Sequence, residues 1–267
     1  MQLYLAVTPD KLPQASRYTS RLAHVAYRIG PEGRLTRRNM PIQVRGGIMV
    51  LGDQGCGVIR DCSALCRDVW RECANRGFNG VLADFELPPN QDRTSFLISL
   101  SQVLSRNGKQ IFVPEVYGQR VPLAAVTVCT AISGGIFRQR LEDACRRFDG
   151  RVALDLQRLR MDFPLPCPSG EGRPMSREEL RELMERLRPA VFYSADLCAK
   201  YFTCTHDGTS RFILFDDAGT LQKKLQAGQA MALKTAFVMY PEVEDLLPRL
   251  FPPRQGRRGQ EAEPGPQ

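Results

Sequence analysis

Eight short runs rich in β-branched and apolar residues, separated by helix-length amphipathic stretches, constrain this chain more than any other feature. They cover residues 3–7, 24–29, 48–51, 80–85, 110–116, 124–130, 152–156 and 236–240. Strands kept this far apart do not pair as tight hairpins; they join in parallel through crossover helices. A parallel sheet needs cover on both faces, and eight such strands close into a barrel. The expected fold class is therefore α/β, a (β/α)8 TIM barrel.

The intervening stretches carry helix punctuation. Residues 59–75 place Cys62, Leu65, Cys66, Val69 and Cys73 on one face and stop at Gly77, while 93–106 present Phe96, Leu97, Leu100, Val103 and Leu104 before Gly108. Ser176 with Glu179 three residues on forms a capping box ahead of Leu180, Leu183, Met184 and Leu187, and residues 242–250 make a last helix. One segment breaks the alternation. Residues 201–205 and 210–214 are β-prone and flank His206-Asp207-Gly208-Thr209, where Asp-Gly is a hairpin signal. A β-hairpin insertion, about residues 190–215, is expected between the seventh and eighth strands. One barrel domain then spans residues 1–251. The tail 252–267, rich in Pro, Gly, Gln and charge, is expected to be disordered.

Composition narrows the function classes. No run of about 18 apolar residues occurs, and the first residues lack both a basic leader and a small-residue cleavage site, so no membrane span and no signal peptide are expected. The net charge of +8 is interleaved with acids along the chain, which reads as a solvated surface and not a nucleic-acid footprint. Nine Cys at irregular spacing read as reduced thiols of a cytoplasmic protein, those at 62, 66 and 73 as buried packing. Cys198, Cys204 and His206 lack a fourth ligand. No metal, no cofactor and a monomer are expected.

The candidate site lies on the fourth strand, Phe78-Asn79-Gly80-Val81-Leu82-Ala83-Asp84-Phe85-Glu86. Side chains alternate along a strand, so Leu82, Asp84 and Glu86 share one face and Val81, Ala83 and Phe85 the other. Two acids that follow an inward-facing Leu at a strand's C-terminal end occupy the active-site rim of a barrel. The competing reading has them cap the loop Leu87-Pro88-Pro89-Asn90. On the fifth strand, Ile111, Val113, Glu115 and Tyr117 share a face, which brings a third carboxylate and a phenol toward the same mouth unless Pro114 interrupts the alternation.

Residues 78–86 resemble the fourth-strand motif DGxDxDxE of family-18 glycoside hydrolases, the chitinase-like barrels. Glu86 takes the acid's place and Asp84 its partner's, with Asn79 where the first Asp is expected and Leu82 where the middle one is. A second segment, Phe215-Asp216-Asp217-Ala218-Gly219-Thr220 on to Lys224, resembles the family's late aromatic-Asp-Asp helix before the last strand, nearest to the spore-germination branch. The resemblance implies a substrate-assisted retaining glycosidase acting on β-linked N-acetylglucosamine polymers such as peptidoglycan, spore cortex or chitin. Glu86 would protonate the leaving oxygen, and Asp84 would orient the acetamido group that acts as nucleophile. Tyr117, Glu115, Tyr240 and Asn79 are the substrate-binding candidates, Tyr117 for the family's sixth-strand Tyr and Tyr240 to stack on a sugar. Residues 128–131, Val-Cys-Thr-Ala, lack the family's M-x-Y-D, and the last strand lacks its Trp. The partner implied is an N-acetylated polysaccharide or oligosaccharide and the location cytoplasmic or spore-associated. A catalytically inactive glycan-binding barrel is the alternative. A barrel enzyme for phosphorylated metabolites fits less well, because no Gly-rich phosphate loop occurs near the last strands.

Overall fold

The computed structural model describes residues 1–39, 41, 44–206 and 208–252. All eight expected strands form, with small shifts at their ends. They are β1 Gln2–Val7, β2 Leu22–Ile29, β4 Ile48–Gly52, β5 Gly80–Asp84, β6 Gln110–Pro114, β7 Ala125–Cys129, β8 Val152–Asp155 and β14 Thr235–Met239, while β3, Leu35–Arg37, adds antiparallel to β2. Every neighbouring pair in the ring β1-β2-β4-β5-β6-β7-β8-β14 is parallel, and β14 pairs back to β1 to close it. The fold is a (β/α)8 barrel.

Strand alternation divides the apolar residues into two layers. Inward-facing Tyr4, Ala6, Ala23, Ile48, Val50, Leu82, Phe112, Ala153 and Phe237 fill the lumen. There the Phe112 and Phe237 rings meet edge to face at 4.8 Å, and Phe237 stacks on Tyr4 at 5.7 Å. Large rings at this depth plug the barrel below the C-terminal ends of its strands. Outward-facing Val81, Ala83, Phe85, Ile111 and Val113 pack against the helices Cys62–Asn75 and Gln91–Arg106. Cys66 and Cys73 are buried in that layer, and all nine Cys are free thiols. The first of these helices ends where Gly77 adopts φ of 64°, which lets Phe78 N–H reach the Cys73 carbonyl at 2.9 Å before β5 begins.

Three local expectations change. The fifth barrel strand stops at Pro114, and Glu115–Tyr117 form a 3-10 turn, because Pro114 brings no N–H to the ladder. The last helix breaks into Tyr240–Val243, a 3-10 turn Glu244–Leu246 and Leu247–Leu250, since Pro248 lacks the N–H that would continue it. The insertion is larger than a hairpin. The pair β12 Ala199–His206 and β13 Thr209–Phe215 forms, but inside a five-stranded antiparallel sheet with β9 Arg160–Leu165, β10 Arg173–Pro174 and β11 Phe192–Ser194. Asp207, in the expected turn, and residues 253–267, the expected disordered tail, lie outside the described residues.

The helix Arg177–Leu187, opened by the Ser176–Glu179 capping box, buries Leu180 and Leu183 against Phe202, Ile213 and Phe215 of this sheet. A buried ion pair joins the sheet's two chain ends. Asp216, at its exit, accepts from Lys224 Nζ at 2.6 Å, Thr220 Oγ1 at 2.8 Å and, at its entrance, Leu159 N at 2.9 Å. Asp216 and Lys224 are both fully buried. The late motif read from the sequence is thus a clamp that holds the insertion to the barrel. Among the described residues no helix is long and apolar enough to cross a membrane.

Candidate active site

The mouth of the barrel is built by the residues at and just beyond the C-terminal end of each strand. Leu82 faces the lumen, so Asp84, two residues on, projects inward above the aromatic plug, while Phe85 turns out to stack on Phe96. Among the described residues the Asp84 carboxyl accepts no hydrogen bond. Its side chain is open to solvent at the rim, yet desolvation by the surrounding barrel wall, then the neighbouring charges of Glu86 and Asp53, push its proton affinity above the ordinary carboxylate range. Glu86 is exposed at the rim, and its Oε2 accepts from Gln54 Nε2 at 2.7 Å.

The loop carrying Glu86 is pinned by a residue from the neighbouring strand. Asp53, directly after β4 and fully buried, accepts from Glu86 N at 2.8 Å and from Leu87 N at 3.3 and 3.4 Å. Its other contact is Arg93 Nε at 3.2 Å, and Arg93 also donates to the Pro88 carbonyl. Asn90 caps the next helix by accepting from Arg93 N at 2.8 Å. Loop and helix are therefore capped by Asp53 and Asn90, which leaves the side chains of Asp84 and Glu86 free of that task. This removes the loop-capping reading.

Across the lumen stands an acid that the sequence pattern does not single out. Ala153 faces the lumen, so Asp155 at the end of β8 projects inward as well. Its Oδ2 accepts from Gln157 Nε2 at 2.8 Å, and the Cys129 thiol donates to Gln157 Oε1 at 3.3 Å. Burial, with the charges of Asp84 and Glu242 adding to it against the Gln157 bond, pushes Asp155 up to about 6. The signal is present in the 152–156 run, where Ala153 and Asp155 alternate with Val152 and Leu154. A single acid there has no partner nearby in sequence to mark it. Asp53 and Gln54 escape notice for the same reason.

The four substrate-binding candidates are not in the mouth. Tyr117 is fully buried in the outer layer, edge-on to Phe85 at 6.1 Å, because the turn after Pro114 carries it away from the lumen. Glu115, on the same turn, pairs with Arg140 at 2.8 Å on the outer rim. Tyr240 continues outward from Val238 into the cluster of Leu5, Val7 and Leu246, and its hydroxyl donates to Glu244 at 3.0 Å. The inward position beside it belongs to Met239. Asn79 precedes β5 at the opposite end of the barrel, about 16 Å of strand away from the rim at roughly 3.3 Å per residue. No group of three or more metal-ligating side chains occurs among the described residues.

No sequence family and no curated protein matches this chain. Solved structures do match its fold. The spore cortex-lytic enzyme SleL of Bacillus megaterium QM B1551 superposes with a TM-score of 0.64 over 94% of this chain and 74% of its own, at 17% identity. A chitinase from Chromobacterium violaceum ATCC 12472 gives 0.63 over 88% and 93%, at 15% identity. A mutant class V chitinase from Nicotiana tobaccum in complex with NAG4 gives 0.62 over 89% and 92%, at 10% identity. The chain thus shares the chitinase-like barrel fold.

Proposed function

We propose that this protein is a glycoside hydrolase that cleaves β-linked N-acetylglucosamine-containing glycan by a substrate-assisted, retaining mechanism. The observation that carries the reading is the placement of Asp84 and Glu86, from one strand end, at the mouth of a barrel shaped like those of chitinases and a cortex-lytic enzyme. Glu86 is the proton donor to the leaving oxygen. Gln54 holds one of its oxygens at 2.7 Å and leaves the other to carry the proton. Asp84 accepts from the acetamido N–H, which turns the acetamido oxygen toward the anomeric carbon and offsets the positive charge that develops on the ring it forms. Asp53 acts through the backbone, keeping the Glu86 loop at a fixed height over the mouth. Peptidoglycan or spore cortex is the substrate favoured by the likeness to SleL, and chitin-like oligomers by the likeness to the chitinases.

A second reading, a barrel that binds such glycans without cutting them, is favoured by one observation. Neither Tyr117 nor Tyr240 reaches the mouth, so neither supports an acetamido group nor floors a sugar subsite. Chromogenic N-acetylglucosamine oligomers and purified peptidoglycan, offered to the wild type and to Glu86→Gln, separate the two. Release of reducing ends by the wild type alone supports the hydrolase. Equal background rates with retained glycan binding support the binding protein.

A further inference from the structure

Two strands from Asp84, β2 carries a cation that the site as described does not use. Arg28 is the one exposed residue of that strand, and a β-bulge sets its facing. Val25 pairs with Val50, and then Tyr27, not Ala26, pairs with Leu51, so the register against β4 slips by one residue. Val25 lies against the lumen layer, whereas Tyr27 and Ile29 pack outside with the helices, which turns Arg28 between them inward. Strict alternation from Val25 would put Tyr27 inside and Arg28 outside. Arg28 pairs in register with Gly52, and Gly52 with Asp84. The three form one inward-facing row, with Arg28 and Asp84 both open to solvent and roughly 10 Å apart, two strand spacings. Gly52 puts no side chain between them, although a Cβ there would lie 3.8 Å from its nearest neighbour, the Asp84 carbonyl oxygen. Thr36 of β3 holds the Arg28 backbone from the other side, its Oγ1 donating to the Arg28 carbonyl at 3.1 Å. Arg93, Arg158 and Arg160, at the same end of the barrel, are held by Asp53, Asp245 and Glu242, and Arg38 lies by Asp10. The Arg28 guanidinium makes no hydrogen bond or ion pair among the described residues.

We propose that Arg28 binds a carboxylate carried by the glycan itself, so that the site selects an acidic N-acetylated strand, with lactyl ethers on alternate sugars, over a neutral chitin-like one. The proposal deepens the hydrolase reading by naming its substrate class, and rests on that reading for where the glycan lies. There Asp84 takes the acetamido group on the second carbon of a sugar ring. A lactyl ether leaves from the third carbon, next to it. Toward β2 its carboxylate meets a guanidinium whose planar fork matches it at two points. Toward β6 and β7 it would meet Pro114, Thr127 and Cys129, none of them cationic. Asp84, Glu86 and Asp155 together disfavour an anionic ligand at this end of the barrel, and an inward-facing cation offsets them. A neutral strand gives Arg28 nothing to pair with. Arg28 touches no reacting atom in this arrangement; it sets specificity.

The test is a binding measurement that needs no turnover. Calorimetry on Glu86→Gln protein compares a peptide-free tetrasaccharide alternating N-acetylglucosamine and N-acetylmuramic acid, the same molecule with its carboxyls reduced to alcohols, and the N-acetylglucosamine tetramer. The acidic tetrasaccharide should bind about tenfold more tightly than either neutral one, the worth of one charge-assisted contact. Adding Arg28→Gln should bring the ratio of acidic to reduced affinity to about one, while Arg28→Lys, which keeps the charge without the fork, should leave it in between. Arg67→Gln removes the same charge from the outer helix Cys62–Asn75 and should leave the ratio in place. A ratio that survives Arg28→Gln, or that falls equally in Arg67→Gln, overturns the proposal, as does failure of the acidic tetrasaccharide to bind. Preferential binding of a strand that the wild type does not cleave would sink the hydrolase reading and leave the carboxylate site standing. Cleavage of acidic and neutral strands alike, with a ratio of about one before any change at Arg28, does the reverse.

Discussion

Two acidic segments of this chain resemble the same family, and the structure treats them in opposite ways. Asp216 is sealed from water with both oxygens matched, by Lys224, Thr220 and the Leu159 amide. Asp84 has no hydrogen-bonding partner among the described residues, Asp155 has one, and both are held among like charges. A buried carboxylate with both oxygens hydrogen-bonded is committed to the scaffold. One left unmatched in a lumen raises the folded state's energy, and arrangements of that kind concentrate where chemistry is done. The difference lies in the partners that tertiary structure supplies, since the two segments look equally conspicuous in the sequence.

The comparison breaks first, and by the largest effect, at Glu86. Glu86→Gln should lower turnover of N-acetylglucosamine oligomers by about 10³-fold, within the range of a lost general acid, while the melting temperature moves by no more than about 2 °C. A large fall in melting temperature would place Glu86 with Asp216 among the scaffold groups. Lys224→Met should do the opposite. It strands Asp216 in a dry site and should cost about 3–5 kcal/mol, read as a drop of roughly 10 °C in melting temperature with activity per folded molecule kept.

A smaller effect tests the energetic cost of the mouth. A carboxyl that holds its proton more tightly when folded makes the folded chain bind more protons than the unfolded one, so stability falls as pH rises through that window. For Asp155 the window runs from the ordinary carboxylate value to about 6, and the loss is complete above it. Asp155→Asn should therefore be more stable than the wild type by about 1–3 kcal/mol at pH 7, with the difference vanishing toward pH 4, as denaturant titrations at both pH values would show. A constant difference would mean that the carboxyl is not strained. Smallest of all is Tyr117→Phe. The Tyr117 hydroxyl is buried without a hydrogen-bond partner among the described residues, so removing it should change stability by about 1 kcal/mol or less, on the favourable side, and leave turnover unchanged. A loss of substrate affinity in that variant would restore Tyr117 to the site.

The eight barrel strands and the facing of Leu82, Asp84 and Phe85 are legible because alternation and helix spacing are local properties of the chain. Glu115 and Tyr117 are misplaced by the same rule, applied one and three residues past a proline that ends the strand. Tyr240 is misplaced by parity, since Val238 and Tyr240 point outward while Phe237 and Met239 fill the inner positions. Asp53, Gln54 and Asp155 carry no local mark. Asp53 with Gln54, and Asp155, follow or end their strands without a second acid nearby in sequence, and acquire a role only when the ring brings strand ends from distant parts of the chain to one mouth.

The sequence by itself therefore determines the repeating unit and the direction of each strand's side chains, because these depend on backbone geometry over a few residues. Tertiary structure decides which acids meet, which are neutralised and which stay exposed to one another. Electrostatic energy depends on distance through space and on burial, and neither is set until the barrel closes and the insertion is clamped to it by Asp216 and Lys224.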